Sequence, residues 1–147
     1  MKKILKILTL SLLFSNLAFA ETKEEKRAKY VLLNMQQDYI ACYSFYKIGA
    51  EYVRKSNGDP KIIEGIEKSS DYSLKLAHDT GEIIGMTGDE MSTMVKSEMK
   101  NQLDQIDNDF NNASVLVKKY AQTCKKLIGH KKQRISFWEE KAINKFK

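Results

Sequence analysis

The sequence has little of what most chemistry requires. There are two cysteines, two histidines, one tryptophan, one proline and seven glycines in 147 residues. The cysteines, Cys42 and Cys124, do not form a C-x-x-C pair. That excludes a redox-active dithiol and a covalent c-type haem attachment. The glycines at 81, 85 and 88 are spaced like a helix end and a turn, so they do not form a phosphate-binding loop. No E-x-x-H pair is present, and no Ser-His-Asp combination stands in a recognisable motif. Catalytic residues and metal ligands are therefore both expected to be none, no cofactor is expected, and the chain is read as a non-enzyme. Strand-like alternation, internal repeats and low-complexity tracts are also lacking.

What is present begins with a processing signal. Lys2, Lys3 and Lys6 precede an apolar run at 7–17, and Ala18-Phe19-Ala20 supplies an A-x-A cleavage site. Residues 1–20 are read as a secretory signal peptide and 21–147 as a single helical domain. The run is shorter than the roughly 20 apolar residues of a membrane span, and no later run approaches that length. The expected location is periplasmic or secreted, where a pair of cysteines reads as a disulfide. Nucleic acid is not an expected partner.

The mature part is organised around YIACYSFYKIGAEYV, residues 39–53. Ala28, Leu32, Met35, Tyr39, Cys42, Tyr46, Gly49 and Val53 alternate by four and three, the rhythm of one buried helical stripe. Helix one is expected from Thr22 to Lys55, stopped by Ser56-Asn57-Gly58. Helix two starts with Asp59 as N-cap and Pro60 at the first helical position. Helix three starts at the capping-box pattern Thr87-Gly88-Asp89-Glu90.

One decision sets the architecture. Asp107-Asn108-Asp109-Phe110-Asn111-Asn112 is the poorest helix-forming stretch, yet the apolar rhythm from Met99 to Leu127 crosses it without a phase slip. A continuous third helix would place Cys124 more than about 30 Å from Cys42, at about 1.5 Å per residue. A disulfide needs α-carbons within about 7 Å. A break near Asn111 instead brings Cys124 level with Cys42, Tyr46 level with Tyr120, and Ala28 level with Trp138. The expectation is an all-α fold, an up-down-up-down four-helix bundle with two long and two shorter helices. The alternative is a three-helix extended hairpin. Helix four is expected to run to the chain end, with Gly129 as a point of kinking or fraying. Segments 24–35 and 132–147 would overhang the shorter pair.

Tyr39, Tyr43, Tyr46 and Tyr120 form the candidate aromatic core or groove. The adopted reading is core, with hydroxyls reaching Ser69, Ser70 and Ser73. His78 precedes Glu82 by one turn, which supplies two metal ligands and no cage. The architecture resembles b-type cytochrome bundles, and that resemblance implies a Met–His axial pair, here Met35 and His130. A b-type haem or metal carrier is accordingly the alternative function.

Charge is the remaining signal. The mature part carries 22 basic and 19 acidic residues, because three of the 25 basic residues lie in the signal. Residues 112–147 hold ten basic and two acidic residues, a net +8, against −5 for 21–111. Neutralisation by acidic neighbours inside the bundle is the preferred reading. The other is a face for an envelope protein or anionic envelope surface, with Lys125, Lys126, Lys131, Lys132 and Arg134 as its candidate residues.

Overall fold

The computed structural model describes residues 21–147, so residues 1–20, expected to be a signal peptide, lie outside the described residues. The described chain is all-helical. Five α-helices run in the order α1 (Lys23–Lys55), α2 (Pro60–Ile83), α3 (Gly88–Gln105), α4 (Ser114–Gly129) and α5 (Lys131–Lys145), with a 3-10 turn at Phe110–Asn112.

The starts of the first three helices follow their capping chemistry. Thr22 and Glu25 form a reciprocal capping box on α1, as Thr87 and Glu90 do on α3. Each glutamate accepts the backbone N–H of its threonine, which holds its carboxyl below the ordinary range. Asp59 accepts from the Lys61 N–H at 2.8 Å, and Pro60 opens α2. The α1–α2 turn is closed by Asn57 in the left-handed region, at φ 54.

The chain breaks between α3 and α4. Asp107 and Asn108 both take positive φ, 53 and 56, and the Asn108 N–H donates back to the Leu103 carbonyl at 2.9 Å. Short polar side chains tolerate this conformation, which ends a helix without a glycine. The apolar rhythm survives because Ile106 is fully buried inside the turn itself. The break places Cys42 and Cys124 with sulfurs 2.03 Å and α-carbons 5.4 Å apart, a disulfide pair across 82 residues.

Two expectations are corrected. The count is five helices, because the last segment divides at Gly129–His130. Gly129 ends α4, His130 takes φ −137 and ψ 48, and neither α4 nor α5 has a side-chain cap at its start. A glycine costs a helix about 1 kcal/mol relative to alanine, and with no cap to compensate, the helix stops there. The break also shifts the register of α5. Phe146 packs on Tyr30 with ring centroids 5.8 Å apart, and its carbonyl accepts from Arg27. Trp138 therefore lies between Tyr30 and Asp38, and Ala28 is exposed.

The second correction concerns α1. Between Met35 and Ala50 only Gln37 is exposed. The helix buries the expected stripe and also Gln36, Ile40, Ser44 and Ile48, which follow one another at four-residue spacing on a second face. Helices α2, α3, α4 and α5 all pack on α1, and much less on one another. α1 is thus a central axis rather than one of four equivalent helices, consistent with a helix buried all round.

Candidate functional site

The junction of α1 with α5 is the most heavily bonded polar site. Asp38, 14% exposed in its side chain, accepts from Arg134 Nε at 2.6 Å and Nη2 at 2.8 Å, and from Trp138 Nε1 at 2.6 Å. The guanidinium also lies over the rings of Trp138 and Phe137, at 4.8 and 4.6 Å. A bidentate Arg–carboxylate pair is among the stronger polar contacts. Tyr30 packs edge-on against both Trp138 and Phe146. The overhang is therefore closed on itself, and Arg134 is engaged there. It leaves the candidate anion-binding set.

The other four members of that set stay free. Lys125, Lys126, Lys131 and Lys132 are exposed and have no ion pair among the described residues. Three lysines of α2 and α3 are paired within their own helices, Lys68 with Glu64, Lys75 with Asp79 and Lys100 with Asp104. Among the described residues, Arg134 is the one cation of α4 and α5 that forms an ion pair, where the sequence suggested neutralisation of the whole segment. Of the acidic side chains of α2 and α3, Glu64, Asp79 and Asp104 pair within their own helix, and Glu67 and Asp71 pair with Arg54 and Lys47 of α1. Glu98 accepts from Gln102 and, at 3.5 Å, from the Tyr120 hydroxyl of α4. None of them forms an ion pair with a lysine of α4 or α5 among the described residues.

The tyrosines divide. Tyr39 is 1% exposed, and its hydroxyl has no hydrogen-bond partner. Burial, reinforced by Tyr72 and Asp38, pushes its pKa up to about 12. The unfolded chain releases this proton near the ordinary value of 10.0, and the folded chain holds it longer. Stability is then full below pH 10 and falls as pH rises from 10 through 12. In a spectrophotometric titration Tyr39 should be the last tyrosine to ionise, and Tyr39→Phe should flatten the alkaline loss of stability. Tyr43 is half-buried. Tyr120 accepts from Gln105 at 3.3 Å. Tyr46 is half-buried and lines an apolar groove of about 280 Å³ between α1, α2 and α4, with Gly49, Ile66 and Val117 among its walls. The expected tyrosine–serine bonds do not form. Ser69 and Ser73 donate to carbonyls of their own helix, and Ser70 donates to the Tyr43 carbonyl at 3.3 Å.

The histidines stand apart from any metal set. His78 is exposed and its neighbour Asp79 is taken by Lys75 at 2.6 Å. Met35 is 3% exposed in the core, whereas His130 is exposed at the α4–α5 break. Among the described residues, no three His, Cys, Asp or Glu side chains converge as metal ligands.

Asp38 was not singled out from sequence, although it carries a signal: it is the only acidic residue between Glu25 and Glu51. Residues 30–46 carry no other charge, so a carboxylate buried there is stabilised by a cation from another helix. Comparisons of the chain with protein-family models, curated proteins and solved structures gave no match.

Proposed function

We propose that this is an exported, non-enzymatic binding module that takes an anionic surface of the cell envelope on the lysine face of α4 and α5. The observation that carries the reading is the set Lys125, Lys126, Lys131 and Lys132, exposed and unpaired in a segment of net +8. The disulfide pair and the lack, among the described residues, of a helix long and apolar enough to cross a membrane are compatible with a periplasmic or secreted location. A lysine near an anionic membrane surface contributes about 1 kcal/mol, so four act together strongly, and salt screens the attraction.

The test is sedimentation with phosphatidylglycerol vesicles at low salt. Replacing Lys125, Lys126, Lys131 and Lys132 together by serine should weaken binding by about tenfold or more. Leaving Arg134 intact keeps α5 docked. Binding of the variant equal to that of the parent at low salt would overturn the proposal.

A further inference from the structure

Five methionines lie outside the first twenty residues. Four of them, Met35, Met86, Met91 and Met94, share one apolar cluster. Local structure accounts for part of this. Gly85, at φ 76, reverses the chain after α2 so that the Met86 N–H donates to the Gly81 carbonyl at 2.9 Å. The Thr87 cap then starts α3. Met86 and Met91 become the residue before the cap and the fourth residue of the helix, a pair that packs across a helix start. Any two apolar side chains serve that packing.

Packing does not account for what lies between them. Gln36 is wholly buried, with Nε2 3.0 Å from Met86 Sδ and 3.9 Å from Met91 Sδ. A thioether is a weak acceptor, and the Gln36 Oε1 has no partner at all. Gly81 makes the approach possible: a Cβ there would lie 2.6 Å from Met91 Cε and 2.8 Å from Gln36 Nε2. Two sulfurs thus converge on one buried amide whose oxygen is unused. Rotation of that amide about its last bond exchanges Oε1 with Nε2. Met94 follows Met91 by one turn, packs against the same cluster and, like Met86, is half-buried.

Thioethers are soft ligands that select Cu(I), while Zn, Mg and Ca need imidazole, thiolate or carboxylate. From this geometry we propose that Met86 and Met91, with Met94 as third thioether and Gln36 Oε1 alongside, form a site for one Cu(I) ion at the α2–α3 turn. The site is independent of the lysine face. It needs no redox step, since the ion is taken up already reduced.

The test supplies Cu(I) to the disulfide-bonded chain in ascorbate, because a thiol reductant would open Cys42–Cys124. Competition with bicinchoninate should show one equivalent bound. Changes around a metal's outer shell alone typically cost about 10- to 100-fold, so Met86→Leu with Met91→Leu should weaken binding on the order of a hundredfold or more. Leucine conserves volume and keeps the fold, which circular dichroism checks. Met99→Leu, outside the cluster, should leave affinity unchanged. With Ag(I) as a redox-inert probe, the ¹³C-methyl signals of Met86 and Met91 should shift and that of Met99 should not. No uptake of Cu(I), equal uptake by the double variant, or equal loss with Met99→Leu would each overturn the proposal.

Discussion

Replacing Cys42 and Cys124 by alanine should lower stability by about 2–4 kcal/mol, seen as a fall of roughly 10 °C in Tm. The bond spans 82 residues, so the unfolded chain loses much freedom when it closes. Both half-cystines are also at most 1% exposed, in the cluster that contains Met35 and Leu127. Alanine removes the sulfurs without burying a new polar group. Intact mass under non-reducing conditions, before and after alkylation, provides the companion measurement. A monomer that takes up reagent only after reduction is expected. A disulfide-linked dimer, or a Tm unchanged in the variant, would contradict the intrachain pair.

The second large effect is expected at Asp38. Asp38→Ala removes the only acceptor shared by the Arg134 guanidinium and the Trp138 indole. Hydrogen bonds to charged groups contribute about 1.5–3 kcal/mol, and orphaning a fully buried ion costs about 3–5 kcal/mol. Arg134 is a quarter exposed and regains some water, so a loss of about 3 kcal/mol is expected for the junction. The loss should be local. Trp138 is the sole tryptophan, and its emission should move to the red as α5 leaves α1. Amides of α5 should exchange faster, while those near Cys42 and Cys124 keep their protection. Asp38→Asn retains one acceptor oxygen and should fall between. An unshifted emission in the alanine variant would show that packing alone seats α5.

The two sites differ in how legible they were in the sequence. The break near Asn111 and the pairing of Cys42 with Cys124 followed from lengths: only a returning helix brings the cysteines to one level. The caps at Asp59 and Thr87 were legible because capping is local chemistry. The second buried face of α1 was not, because Gln36 and Ser44 interrupt it and read as surface. The division at His130 was signalled by Gly129, but its consequence was not. Whether a weak point bends or breaks depends on tertiary docking, here the pull of Asp38 on Arg134 and Trp138. That displacement explains why Trp138 does not lie level with Ala28. The lysine face was legible as charge. Which of its members were free required knowing where each acidic side chain points.

The disulfide also fixes the covalent topology. Residues 42–124 form a closed ring that contains the end of α1, the whole of α2 and α3, most of α4 and the turns between them. The beginning of α1 and the whole of α5 are two tails that leave this ring from neighbouring points and meet at Asp38. A single backbone cut in any of the three turns inside the ring leaves one covalently connected molecule, whereas a cut in the tail beyond Cys124 frees everything that follows it. Toward a protease, the vulnerable bonds are then those at the α4–α5 junction, within the same stretch that displays the free lysines.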